Sequence, residues 1–262
     1  MTTMQEIKTT GLVLNSNAIN DNDKIFTLLT RDAGKVTALS KGIRSHKHKD
    51  FSALQNFCLS EMVLKPRGGM CYIASAEPIN TFFGIRGSVE QVSFATYITD
   101  IVRSLPDEEL FEDEYFSFIL NTLYLIGKAQ EKCRDGDLIG YLEKLKAVFE
   151  FKTVCSEGFM PDVERCRACG SAKDMRYFDL RSGNVLCKSC GESAPLSDYA
   201  EINQSVHKLL MFLCAADLKT VFAFNASEEN LGIVSHIAEQ YLINTLEIFP
   251  ASLTYLKSTI YG

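Results

Sequence analysis

No stretch of this sequence is apolar for long enough to cross a bilayer. The most apolar candidate, Phe116 to Ile126, is interrupted by Asn121 and Thr122. It is about half of the roughly 20 residues a spanning helix needs, so it reads as a core helix. The opening run Met1-Thr-Thr-Met-Gln-Glu6 lacks the charged-then-apolar pattern of an export signal. The chain has no internal repeat, no low-complexity tract and no Gly-x-x-x-x-Gly-Lys-Ser/Thr loop to cradle nucleotide phosphates. It also has no carboxylate cluster suited to two metals. None of the 4 histidines is followed two places on by Glu, as a zinc deaminase requires. These absences set aside a membrane protein, a nucleotide hydrolase and a two-metal nuclease. The chain is therefore expected to be cytoplasmic and not an enzyme.

What is present is enough for a sizeable core, since 46% of the 262 residues are hydrophobic. The net charge of -6 argues weakly against a general polyanion binder, but the charge is uneven. Residues 1–80 carry 10 Lys and Arg against 7 Asp and Glu, whereas the remainder carries 17 against 26. A polyanion partner is thus expected at the N-terminal part. Of 9 cysteines, Cys58, Cys71, Cys133, Cys155 and Cys214 stand singly in apolar patterns as small hydrophobes, which fits a reducing cytosol.

Up to about Asn80 the chain reads as short strands: Gly11–Leu14, Lys24–Thr30, Lys35–Ser40, Phe57–Lys65 and Met70–Ala74. Turn residues separate them at Asn20–Asp23, Asp32–Gly34, Gly42–Asp50 and Pro66–Gly69. Five strands in so short a span suggest an oligonucleotide-binding (OB) barrel, although spacing alone also permits an SH3-like one. After Asn80 the period becomes helical. Ser88-Val-Glu-Gln91 has the form of a reciprocal capping box, followed by apolar Val92, Ala95, Ile98, Val102 and Leu105 before Pro106. Further helices are expected over Phe116–Ala129, from Asp137 to near Gly158, over Ser197–Ala215, and from a cap near Ser227 through Leu246. The expected architecture is α+β and multidomain. An OB-fold barrel (1–80) precedes a mainly helical domain (81–262), which carries a metal-binding insertion at about 160–195.

The four remaining cysteines form that insertion. Cys166-x-x-Cys169 is followed after 17 residues by Cys187-x-x-Cys190, a spacing typical of zinc. The segment between them reads as strand (Tyr177–Leu180), turn (Arg181–Asn184), strand (Val185–Leu186), which would fold the two pairs together. Four thiolates fill a tetrahedral Zn2+ and leave no open position, the arrangement of a structural site. A thioredoxin-like redox pair would sit in a different context, and an iron–sulfur cluster is the alternative metal reading. Arg165, Arg167, Lys173, Arg176, Arg181 and Lys188 surround the site. They read as compensation for its negative charge in preference to a nucleic-acid patch.

The polyanion candidates lie earlier. Between Arg31 and Lys49 stand Arg31, Lys35, Lys41, Arg44, Lys47 and Lys49 against one acid, Asp32, with His46 and His48. Long cations on a mobile loop can follow phosphates without fixed geometry. With Lys65 and Arg67 at the next strand end, these eight are the predicted DNA-binding residues. Two histidines on a flexible loop make a poor metal site. Phe26, Phe57 and Tyr72 serve equally well as core or as base-stacking rings. Asp107 to Glu114, with 6 acids in eight positions, reads as a solvated helix entrance.

Certain residues, in order and spacing, resemble a known family. They are Gly11-Leu-Val-Leu14, Asp23, Leu28 to Thr30, Gly34, Lys41-Gly-x-Arg44, Leu54-Gln-x-Phe57 and Leu64-x-Pro66. Later come Leu105-Pro-Asp107, Glu109-Leu-Phe111, Gly158-Phe-Met-Pro161 and Cys166-x-x-Cys169-Gly170. The family is that of the bacterial recombination mediator RecO. The resemblance implies an OB barrel, a helical body and a zinc insertion. It further implies binding of single- and double-stranded DNA, strand annealing, and cooperation with RecR to load RecA onto strands coated by single-strand-binding protein, in a nucleoid-associated setting. A zinc-ribbon and OB adaptor without annealing activity is the alternative.

Overall fold

The computed structural model describes residues 6–106, 112–133, 136–195 and 197–261. They fall into two compact units: the described residues up to Lys128 together with those from Pro250 on, and Ala129–Phe249.

In the first unit, strands β1 (Ile7–Ala18), β2 (Lys24–Thr30), β3 (Gly34–Ser40), β4 (Leu59–Arg67) and β5 (Met70–Asn80) close in the order β1-β2-β3-β5-β4. All ladders are antiparallel except β3–β5, where Ala38 and Leu39 pair in parallel with Cys71 and Tyr72. That parallel closure is the Greek-key order of an OB-type barrel. Alternation along the strands turns Val13, Phe26, Leu28, Met62, Leu64 and Ile73 inward. The β4–β5 turn needs two left-handed residues, which Gly68 (φ 61°) and Gly69 (φ 78°) supply.

Beyond a short 3-10 turn at Phe83–Gly87, α1 spans Val89–Ser104. Ser88 Oγ accepts from the Gln91 amide (3.2 Å), as the sequence predicts. The expected return bond is not made. The Gln91 side chain is fully buried and donates instead to the Gly84 (3.1 Å) and Ile126 (2.6 Å) carbonyls. A buried amide must find acceptors inside the protein, and two backbone carbonyls supply them, which outweighs a solvent-exposed cap. Of the expected apolar face of α1, Ala95, Ile98, Val102 and Leu105 are buried and Val92 is exposed, and Phe94, Tyr97 and Ile101 are buried besides. Helix α2 runs Asp113–Gly127. A Cβ on Gly84 would lie 2.3 Å from the Gly127 carbonyl oxygen, so this close approach admits only glycine. The expected acidic entrance lies partly outside the described residues, at 107–111; Asp113 and Glu114 form the first turn of α2. A C-terminal helix, Ser252–Tyr261, packs on α1, and Asp100 Oδ2 accepts from its Ser252 amide (3.0 Å) and hydroxyl (2.7 Å). Sequence periodicity did not point to this helix.

The second unit contains α3 (Ala129–Lys132), α4 (Leu138–Ser156), β6 (Asp162–Cys166), β7 (Met175–Asp179), β8 (Asn184–Cys187), α5 (Lys188–Gly191), β9 (Tyr199–Glu201), α6 (Gln204–Ala215) and α7 (Glu228–Leu246). Asp137 caps α4 through the Gly140 amide (2.8 Å), and Ser227 caps α7 through the Asn230 amide (3.3 Å), as expected. The helix expected from Ser197 begins only at Gln204. Tyr199, Ala200 and Glu201 pair with β7 instead, and Asn203 provides the cap. Inside the helical layer, buried Lys146 bonds both Glu150 (2.8 Å) and Glu239 (3.0 Å).

Candidate metal centre and basic barrel end

The β6-β8-β7-β9 sheet is built around the cysteines. Each Cys-x-x-Cys pair follows or ends a strand: Cys166 closes β6, Cys187 closes β8, and Cys190 lies on the one-turn helix α5. The expected hairpin is present, with Phe178 opposite Val185. Asp179 Oδ1 holds its turn by accepting from the Arg181 (2.9 Å) and Ser182 (3.1 Å) amides. The four Sγ atoms lie within 4.8 Å of one another, and Cys169 and Cys187 are 3.7 Å apart. A tetrahedral ion with bonds near 2.3 Å sets its sulfurs at about 3.8 Å, so the donor set fits such an ion.

The protons reinforce this fit. Burial pushes the Cys166 thiol up, but backbone amides at Cys187, Cys169 and Ala168 outweigh it and bring the thiol down to about 6. The Ser189 hydroxyl and the Cys190 amide hold Cys187 below the ordinary value. Hydrogen bonding to Cys187 and Cys169 pushes Cys190 up to about 12. Cys166 and Cys187 are thus biased toward the thiolate form, and a cation bound among the four sulfurs would favour loss of the remaining protons. The surrounding cations are largely engaged locally. Arg176 pairs with Glu201 (2.8 Å), Arg181 with Asp198 (3.3 Å), and Arg167 donates to Ser182 (3.3 Å).

The eight predicted DNA-binding residues separate into two groups. Arg31 and Lys35 flank the β2–β3 turn. Arg31 pairs with Asp113 (3.2 Å) and stands 5.5 Å from the Phe116 ring centroid, while Lys35 donates to the carbonyls of Arg103 and Leu105 at the end of α1. Lys41, Arg44, Lys47 and Lys49 follow β3 from the opposite end, where Lys24 pairs with Ser40, whereas β4 carries Lys65 and Arg67 toward the N-terminal end of β1, since Leu64 stands opposite Ile7. The first four are exposed on the β3–β4 connection and Lys65 and Arg67 on the tip of β4, and the two sets meet at Tyr72, which pairs with Leu39 of β3 and Lys65 of β4.

That connection is not the mobile loop the sequence suggested. It is a chain of turns closed by Ser45 N–Gly42 O (3.2 Å), His48 N–Ser45 O (2.9 Å) and Phe51 N–His48 O (3.0 Å). Its Ile43, Ala53 and Leu54 plug the barrel core. The β1–β2 turn ties it down further. Asp23 accepts from the Gly42 amide (2.8 Å), and Arg44 donates to the Asn20 carbonyl (2.8 Å). Hydrogen bonds from Asn20 and Gly42 keep the Asp23 carboxyl below its usual range. His46 and His48 serve this packing: His46 meets Phe51 edge-on at 4.6 Å, and His48 accepts from the Asp50 amide (3.2 Å). In the sequence Asn20 was legible only as a turn residue, and Asp23 as a turn residue and a family match, neither as an anchor of this connection.

The sequence matches the family described as Recombination protein O N terminal over residues 4–82, and Recombination protein O C terminal over 86–254. The chain belongs to the RecO family. It is 27% identical over 256 residues to the DNA repair protein RecO of Acetivibrio thermocellus, covering 97% of this chain and 98% of that protein. The Syntrophus aciditrophicus RecO is 30% identical over 216 residues, 80% of each chain. The Caldanaerobacter subterraneus RecO is 28% identical over 217, or 81% and 82%. The join between the two RecO matches falls at the Phe83–Gly87 turn, where the strand period of the sequence also ends. Compactness divides this RecO chain elsewhere, because α1, α2 and the C-terminal helix group with the barrel. Among the described residues, no helix is long and apolar enough to cross a membrane.

Proposed function

We propose that this RecO-family DNA repair protein binds single- and double-stranded DNA at the basic surface of its barrel, anneals complementary strands, and acts with RecR to load RecA onto strands coated by single-strand-binding protein. The observation that carries this reading is the set of exposed cations on an OB-type barrel, where Lys41 of the β3–β4 connection stands over Tyr72 and Lys65 of β4 pairs beside that ring. Phosphate neutralisation lowers the repulsion between two strands and leaves base edges free to pair. No bond is broken, and the protein acts as a non-enzymatic mediator. The four cysteines hold one structural Zn2+, whose role is to fix the β6–β9 sheet, since four sulfur donors leave no site for substrate.

The test is annealing of two complementary labelled oligonucleotides, followed by fluorescence transfer with and without the protein. Acceleration that titrates with protein and disappears at high salt is expected. No binding and no acceleration even at low salt would leave an adaptor role in its place.

A further inference from the structure

Of the three barrel aromatics that could meet a base, two are excluded by burial: Phe26 is 1% and Phe57 6% exposed. Tyr72 remains, half-buried on the outer surface of β5. Below the irregularity at Val63/Leu64, β4 and β5 pair Lys65 with Tyr72 and Arg67 with Met70. Paired residues, and residues two apart on one strand, share a face. The inward set here is Leu64, Ile73 and Cys71, which line the core. Tyr72, Met70, Lys65 and Arg67 therefore form one outward patch. Met70 is 42% exposed, an apolar side chain left open beside a ring. From the neighbouring connection, Lys41 Nζ stands 5.9 Å from the Tyr72 ring centroid. Glu6, 2.7 Å from Lys65, is the acid facing this patch.

We infer that Tyr72, flanked by Met70, is a stacking platform for one unpaired base, with Lys41, Lys65 and Arg67 on the phosphates beside it, and that it makes this surface favour single strands over duplex. The inference rests on the DNA-binding reading above and adds the residue that discriminates. A ring with an apolar neighbour and a surround of cations has the composition of a single-strand site, because every base offers a π-face whatever the sequence. In a duplex both faces of each base are already covered by neighbours, so the ring gains nothing there while the cations still act on phosphates. When a base arrives, Lys41 exchanges its contact with the ring for one with a phosphate.

The chain contains no tryptophan, so Tyr72→Trp introduces a single reporter. Binding is measured by anisotropy on a labelled oligo-dT strand, the same strand with abasic sites, and a duplex of equal length. The wild type should bind the intact strand more tightly than the abasic one. Tyr72→Ala should weaken the intact strand roughly tenfold and leave the duplex within about twofold. Tyr72→Phe should resemble the wild type. Emission of the Tyr72→Trp protein should be quenched by the intact strand and not by the abasic one. If the wild type binds DNA but does not distinguish intact from abasic strands, or if the Trp emission ignores the intact strand, stacking at Tyr72 is overturned while DNA binding stands. Equal loss on strand and duplex in Tyr72→Ala, with Tyr72→Phe also impaired, overturns it as well. A wild type that binds no DNA removes the functional reading and this inference together.

Discussion

Replacing Lys41, Arg44, Lys47 and Lys49 together by Gln tests whether the β3–β4 connection contacts phosphates. All four are exposed, and the turns that carry them are held by backbone bonds and by buried Ile43, Ala53 and Leu54, which the substitutions leave alone. Each true contact contributes about 0.7 to the slope of log affinity against log salt on a single strand, so four should lower the slope by about 3. Between roughly 50 and 200 mM salt, the wild type should then lose on the order of fiftyfold more affinity than the variant. Anisotropy titrations of two unrelated strands across that range read both quantities, and the two strands should respond alike. Arg44 also donates to the Asn20 carbonyl, so the triple variant that spares it separates charge from turn geometry; its slope should fall by about 2. The pair Arg31→Gln and Lys35→Gln is the internal control, since both cations are engaged by α1 and α2, and its slope should stay at the wild-type value. An unchanged slope in the quadruple variant would refute the reasoning. A lower affinity at constant slope would mean that the segment acts through the fold of the barrel.

Cys187→Ala should reduce bound zinc from one per chain to none by elemental analysis. It should also loosen the β6–β9 sheet in hydrogen exchange while the barrel keeps its protection, because metal binding and local folding are coupled in such sites. Lys146→Met leaves Glu150 and Glu239 buried without their cation, and should cost about 3–5 kcal/mol by denaturant unfolding; a loss within experimental error would show that the two carboxylates find other donors. Burial raises the Asp100 carboxyl, but hydrogen bonds from Ser252 and Arg103 prevail and hold it below 3.8. Its stabilisation is therefore complete above the unfolded value and lost as pH falls through the folded one. Asp100→Asn should cost about 1–3 kcal/mol at neutral pH, and the gap should close below about pH 4; a gap constant down to pH 2 would contradict this. The purified protein should hydrolyse neither ATP nor DNA, and turnover abolished by a point mutation would disprove the non-enzymatic reading.

The sequence alone determined the parts that depend on local chemistry. Strand alternation and turn residues located the barrel strands to within a few residues, except that β1 and β5 run further than their apolar cores. The caps at Asp137 and Ser227 and the pairing of two Cys-x-x-Cys knuckles around a hairpin were legible because each acts over a handful of residues. What tertiary structure decided are the questions of partner. Glycine and charge made residues 41–50 look mobile, whereas Asp23 and the barrel core hold them in place from distant positions. Arg31 and Lys35 belong to the same basic run as Lys41, yet strand pairing sends them to the other end of the barrel. Gln91 left its expected cap for carbonyls brought to it by folding, and Tyr199–Glu201 became extended by pairing with β7. Periodicity reports which face of an element is buried, but only packing says what lies against it.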